Sequence, residues 1–299
     1  MTKAKAKVNL FLEILSHRKV RNGFHSIKTV ISEIDLSDNI SFRLFDSAFG
    51  GTEKETIKIS CYSNAKTIRQ RKEEKIEKQE NIVYKVANYL KDKYQVDGGM
   101  EIILKKNIPI CAGLAGGSSD AALTIKMCNS LWNLKLSKKE MHKVAAKFGS
   151  DINFFLDGGL GLLSGRGEKV QQISSNLKIE NLLLVNPLGS WRISSKDAYS
   201  WAEIENEKKF QLKNILDAIR ENDVQKVCKN MYNGLEKGVF ARYPAIKKIK
   251  DKMFEFGALG SLMSGSGATV FGIFDSKKSM KVAENYFQNL DYWVCKSKI

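Results

Sequence analysis

The stretch PICAGLAGGSS, Pro109–Ser119, decides how this chain is read. Gly113, Gly116 and Gly117 fall within five positions, where they let the backbone take positive φ and bring main-chain N–H groups close to an anion. Ser118 and Ser119 come next, followed by Ala121, Ile125, Cys128 and Trp132 at helical spacing. The loop therefore runs into a helix N-terminus, whose unpaired N–H groups and dipole attract negative charge. A glycine loop opening such a helix is a phosphate cradle. It carries no Lys after its last glycine, as a Walker loop does, and does not match G-x-G-x-x-G.

Outward from the loop, MEIILKK (Met100–Lys106) reads as a strand, and Asn81 caps an amphipathic helix with Ile82, Val83, Val86, Ala87 and Leu90 on one side. Ala65–Gln79 is a mixed-sign run of Lys, Arg, Glu and Gln, a solvated loop or helix face. Short apolar segments at Thr29–Glu33, Ile40–Leu44 and Thr56–Cys61 read as strands, after a turn at Asn22-Gly23. KVNLFLEI (Lys7–Ile14) is a further strand, on which Lys7 and Asn9 project from the same face. Downstream, Ser137 and Glu140 form a capping box for a helix that Gly149 ends. Strands follow near Leu182–Val185 and Thr269–Phe274, with helices at Ser195–Glu203, Leu212–Glu221 and Pro244–Phe256. Strands and helices mix without strict alternation, so an α+β fold is expected rather than a doubly wound sheet.

With 299 residues, 43% of them hydrophobic and 27% charged, the chain has globular composition and room for two domains. No apolar run is long enough for a membrane helix, and the motifs begin at Lys7, which predicts a cytoplasmic protein without a leader. The five cysteines and three histidines show no metal-site spacing. The net charge of +16 favours anionic partners, but the basic residues are spread along the chain, so charge alone names none.

Pro109–Ser119 resembles the second motif of the GHMP kinases. AKVNLFL (Ala6–Leu12) resembles their first motif and LMSGSGATVF (Leu262–Phe271) their third. NGFH (Asn22–His25) and GSDINFFLDGG (Gly149–Gly159) are similar to the pattern of one branch, the 4-diphosphocytidyl-2-C-methyl-D-erythritol kinases of non-mevalonate isoprenoid synthesis. The resemblance runs from Lys7 to about Phe274 and is concentrated in these five segments. It implies a two-domain α+β kinase. An amino-terminal ATP-binding domain over residues 1–163 would be like a ribosomal-protein domain, and a ferredoxin-like domain over 164–299 would complete the substrate cleft. It implies Asp151 as general base on the substrate hydroxyl, with Lys7 orienting that hydroxyl and offsetting developing charge. Phosphoryl transfer to an alcohol needs little more than a proton acceptor and cations.

By the same resemblance, Asn9 binds substrate near its reacting end, Phe24 and Tyr199 stack on cytosine, His25 reads its edge, and Ser195 lies at the spacing that accompanies Tyr199. The cradle residues Pro109, Ile110, Cys111, Ala112, Gly113, Leu114, Ala115, Gly116, Gly117, Ser118 and Ser119 hold ATP, with Asp120 toward its phosphates or their metal. Asn81 and Lys106 match nucleotide contacts, and Gly265, Ser266 and Gly267 form a second glycine loop. ATP, with Mg2+ delivered by it, and a cytidine-diphosphate substrate are the implied ligands, with no membrane and no specific nucleic acid as partner. Other GHMP kinases, of the homoserine or mevalonate type, are the nearest alternative, and a nucleic-acid-binding protein is the alternative from another class. The chain departs from the family at Asn22, Phe24 and Asn153, and at Ala115, where a glycine is usual; Ala115 is therefore expected to need no positive φ. The approach to Ser195, with Trp191 and Arg192, is longer than usual.

Overall fold

The computed structural model describes residues 1–15, 25–45, 57–63, 78–187, 193–203, 211–290 and 292–299. Asn22, Gly23, Phe24, Trp191, Arg192 and nearly all of Ala65–Gln79 lie outside them. The strands are β1 (Thr2–Ile14), β2 (Ile27–Phe45), β3 (Ile57–Ser63), β4 (Gly99–Lys106), β5 (Leu160–Gly165), β6 (Lys169–Gln172), β7 (Leu182–Asn186), β8 (Tyr232–Asn233), β9 (Ala258–Met263), β10 (Val270–Phe274) and β11 (Trp293–Ser297). The helices are α1 (Ile82–Lys93), α2 (Gly116–Leu131), α3 (Lys138–Phe148), α4 (Ile152–Asp157), α5 (Ser195–Ser200), α6 (Leu212–Arg220), α7 (Val224–Asn230), α8 (Glu236–Arg242), α9 (Pro244–Glu255) and α10 (Lys277–Gln288). No helix among the described residues is long and apolar enough to cross a membrane.

The chain forms two compact units that are discontinuous in sequence. One comprises Met1–Ala6, Ser37–Pro109 and Ala115–Asp157. The other comprises Lys7–Leu36, Ile110–Leu114 and Gly158–Ile299. In the first, β4 pairs antiparallel with residues 39–45 of β2 and parallel with β3. Helix α1 is capped by the Asn81 side chain, which accepts from the Val83 N–H at 2.9 Å, and it buries Val83, Val86, Ala87 and Leu90. The capping box on α3 forms as expected, and Gly149 ends the helix. Asp38 is a fully buried carboxylate within β2. It is satisfied by the turn after β4, where the Asn107 and Ile108 N–H groups donate to its Oδ1. That tolerated carboxylate lets two expected strands, Thr29–Glu33 and Ile40–Leu44, run on as one 19-residue strand.

In the second unit β5 pairs with residues 27–32 of β2 and with β6, and β8 pairs parallel with β1. A separate antiparallel sheet has the order β11-β7-β10-β9. Numbered along the chain, with helices between β7 and β9 and α10 between β10 and β11, that is the order fourth-first-third-second of a ferredoxin-like layer. Its core gathers Leu183, Val185, Val239, Ile246, Met253, Val270 and Phe287. The fold is α+β, as the mixed pattern of elements predicts.

Candidate active site

In the second unit three separate sequence motifs meet at one ammonium. Lys7 and Asn9 stand two residues apart on β1, and Lys7 Nζ donates to Asn9 Oδ1 at 2.6 Å and to the Gly113 carbonyl at 2.6 Å. Asn9 Nδ2 in turn donates to Thr29 Oγ1 at 2.8 Å. Gly113 O also accepts from Ser264 Oγ at 2.9 Å, and the Thr269 N–H donates to Ala112 O at 3.3 Å. A Cβ on Gly265 would lie 3.1 Å from Lys7 Nζ, so the third motif closes over the same point. Only 4% of Lys7 is exposed, and oxygens around its Nζ offset the cost of burying that charge.

The third loop has a support that sequence reasoning missed. Asn233, 2% exposed at the end of β8, donates from Nδ2 to Met263 O at 2.7 Å and to Gly265 O at 2.8 Å. Its Oδ1 accepts from the Leu235 N–H at 2.9 Å. Glu236 Oε1 accepts from the Met263 N–H at 2.9 Å, and its Oε2 pairs with Lys250 Nζ at 2.6 Å. Burial pushes the Glu236 carboxyl up, with Lys250 opposing. The only signal in the sequence was Asn-Gly-Leu-Glu at 233–236, a plain turn by composition.

In the first unit the cradle opens α2. Ala115 corrects the expectation made of it, since it adopts φ +54° and ψ +32°, the left-handed conformation. The chain must turn there to keep Leu114 wholly buried while the Ser119 N–H closes on Ala115 O at 3.0 Å. Left-handed residues in this stretch are Cys111, Gly113 and Ala115, whereas Gly116 and Gly117 are helical. Gly116 is needed for space instead, because a Cβ there would lie 2.9 Å from Ile108 Cγ2. A left-handed non-glycine residue is strained by roughly 1–2 kcal/mol. Ala115→Gly should therefore raise stability by up to about 1 kcal/mol after the extra freedom of glycine in the unfolded chain is subtracted. Denaturant unfolding checks this through a higher midpoint at unchanged slope; a lower midpoint would contradict it.

Ala115 has no side chain to cap α2, and no acidic residue occupies the first turn, so the first-turn N–H groups and the dipole are open to an anion. Beneath lies a buried charge cluster. Lys106 Nζ pairs with Asp38 and, at 2.7 Å, with Asp120 Oδ2. Burial pushes Asp120 up to about 7, against the attraction of Lys106 and with the Asp38 charge adding to it. Two carboxylates share one ammonium, and Asp120 Oδ1 has no hydrogen-bond partner.

Asp151, half-buried, directly precedes α4, and its carboxylate makes no hydrogen bond or ion pair among the described residues. It is therefore not spent as a helix cap. Asn153, at the position where the family has Pro, is hydrogen-bonded through Oδ1 to His142 Nδ1 at 3.0 Å, tying α4 to α3. In the second unit His25 and Tyr199 are brought together, with rings stacked at 5.7 Å and 15°. Ser195 is exposed in the first turn of α5, which Ser194 caps. Phe24 lies outside the described residues.

Two family models match the chain, "GHMP kinases N terminal domain" over residues 81–159 and "GHMP kinases C terminal" over 215–291. A protein of Thermoanaerobacter pseudethanolicus named 4-diphosphocytidyl-2-C-methyl-D-erythritol kinase is 39% identical over 284 residues, covering 94% of this chain and 89% of that protein. A protein of the same name from Caldanaerobacter subterraneus is 38% identical over 300 residues, covering 99% and 95%. Among solved structures, a 4-(cytidine 5'-diphospho)-2C-methyl-D-erythritol kinase superposes with a TM-score of 0.76 at 24% identity, covering 99% of this chain and 98% of that one. A homoserine kinase from Cytophaga hutchinsonii shares the fold at a TM-score of 0.65 and 16% identity, covering 98% and 93%.

Proposed function

Because this chain belongs to the GHMP kinases, in the family of 4-diphosphocytidyl-2-C-methyl-D-erythritol kinases, we propose that it transfers the γ-phosphate of ATP to the 2-hydroxyl of 4-diphosphocytidyl-2-C-methyl-D-erythritol. It is an ATP-dependent small-molecule kinase of isoprenoid precursor synthesis. The observation that carries the reading is the convergence of three motifs on Lys7 Nζ. A fixed ammonium ringed by glycine-loop backbone is what a transferring phosphoryl group needs, since catalysis here is positioning and charge stabilisation.

In this reading Asp151 accepts the proton of the attacking hydroxyl, and its unpaired carboxylate leaves it available for that. Lys7 orients the hydroxyl and offsets the charge of the transferred group, while Asn9 fixes the Lys7 ammonium and binds substrate near the reacting end. The uncapped N-terminus of α2 and the loop at Gly265–Gly267 hold the phosphates, with Asn81 and Lys106 on the nucleotide side. These donors are N–H groups and an ammonium, a set that fits phosphate oxygens. Among the described residues no three His, Cys, Asp or Glu side chains are grouped to hold a metal. Mg2+ is proposed to travel with ATP, where it would neutralise phosphate charge. Incubation with ATP, Mg2+ and the cytidyl alcohol, followed by phosphorus NMR, tests the reading: one new phosphomonoester on the tertiary carbon per ADP is expected. ADP without that ester would overturn it.

The cytosine end is assigned to Phe24, His25, Ser195 and Tyr199. The stack of His25 on Tyr199 supports this, because it sets a base-edge reader against an aromatic face. Tyr199→Ala should weaken substrate binding by roughly 1–3 kcal/mol, the value of one stacking face, or about fivefold to 150-fold. ATP affinity should stay within about twofold. Calorimetric titration of both ligands reads the two effects; unchanged substrate affinity would place the base elsewhere.

A further inference from the structure

We propose that Asn233, which no motif singles out, is the positioning residue that shapes the loop at Ser264–Gly267 into an anion nest for the nucleotide phosphates. The inference rests on the ATP reading of that loop. One buried amide donates both its hydrogens across Ser264, to Met263 O and Gly265 O, and so draws those two carbonyls to one side. The remaining groups of the loop are accounted for in turn. Met263 N–H goes to Glu236, Ser264 N–H to Thr269 O, and Gly267 N–H to Ser264 O.

That leaves the N–H groups of Gly265 and Ser266 without an acceptor among the described residues, though Gly265 is buried. Buried backbone donors are nearly always paired, so the leftover Gly265 N–H, beside that of the half-buried Ser266, points to an absent acceptor. Successive N–H groups in a turn with Gly265 at φ +55° form the kind of concavity that binds anions. The Lys7 ammonium lies against the same glycine and supplies the positive charge. A phosphate oxygen satisfies both N–H groups and lies beside the Lys7 charge. Without Asn233 the two carbonyls are free to rotate into that space and repel the anion. Asn233 touches no ligand itself and acts through the loop.

Asn233→Asp tests this, because it keeps the shape and the Leu235 contact while replacing the shared donor with an anionic oxygen facing two carbonyls. We expect KM for ATP to rise at least about tenfold with kcat and KM for the alcohol within about threefold, the split that separates positioning of one ligand from general damage. Asn181→Asp is the control. Asn181 Nδ2 also spans two carbonyls, of Phe274 and Asp275, both at 3.4 Å, at the far end of β10, so that variant should lose stability without moving KM for ATP. If Asn233→Asp does not fold, Asn233→Ser, uncharged and with one donor, carries the test with a smaller rise. A folded Asn233 variant with unchanged KM for ATP, or with all three parameters moving together, overturns the role of Asn233 alone. Failure of the wild-type protein to bind ATP by calorimetry would instead overturn the nucleotide reading, and this inference with it.

Discussion

Asp151→Asn should lower phosphoryl transfer by ~10²–10⁴-fold, the usual cost of losing a general base, while ATP affinity stays within about twofold. The substitution keeps the side chain's shape and removes its ability to accept a proton. A structural explanation for this carboxylate would be capping of α4, but no N–H donates to it among the described residues. Stability should accordingly move little, because nothing depends on the charge. Single-turnover kinetics with saturating ATP separates the chemical step from binding. Turnover close to wild type would remove Asp151 from the chemistry.

Gly113→Ala is the substitution expected to damage the protein most. Gly113 has φ +75°, and a Cβ there would lie 2.0 Å from Ser264 O and 3.1 Å from both Gly267 N and Gly267 O. All three are backbone atoms of the third motif, so no side chain can swing aside. The left-handed penalty of roughly 1–2 kcal/mol adds to an overpacking cost of about 1–3 kcal/mol, giving a destabilisation of about 3 kcal/mol or more. ATP binding should fall with it, since the same displacement breaks the bond from Lys7 Nζ to Gly113 O. Gly117→Ala is the contrast. It is helical and exposed, its nearest neighbour being Ile82 Cγ2 at 3.8 Å, so its stability should be unchanged or slightly raised. Thermal unfolding of the pair measures the difference; equal midpoints would contradict the account of the loop.

Much of this was legible because it depends on neighbours in sequence. The Asn81 cap, the Ser137–Glu140 box and the shared face of Lys7 and Asn9 follow from spacing alone, and all three form. What escaped depends on partners far along the chain. Nothing near Asp38 in sequence explains a buried carboxylate inside a strand, because the N–H groups of Asn107 and Ile108 that satisfy it lie 69 and 70 residues away. Asn233 had no periodicity or motif to mark it, and its meaning lies in two carbonyls 30 and 32 residues on. Ala115 shows the converse error. Residue type argued against positive φ, but burial of Leu114 on one side and the start of α2 on the other fix the turn.

The chain phosphorylates a cytidyl-linked alcohol. The direct measurement is ADP release by the purified protein with ATP and Mg2+, comparing 4-diphosphocytidyl-2-C-methyl-D-erythritol with homoserine and mevalonate at equal concentration. ADP release with the cytidyl alcohol should exceed that with either of the others by at least about a hundredfold, because only it supplies a base for stacking and edge recognition. Equal or faster turnover of homoserine or mevalonate would contradict the account.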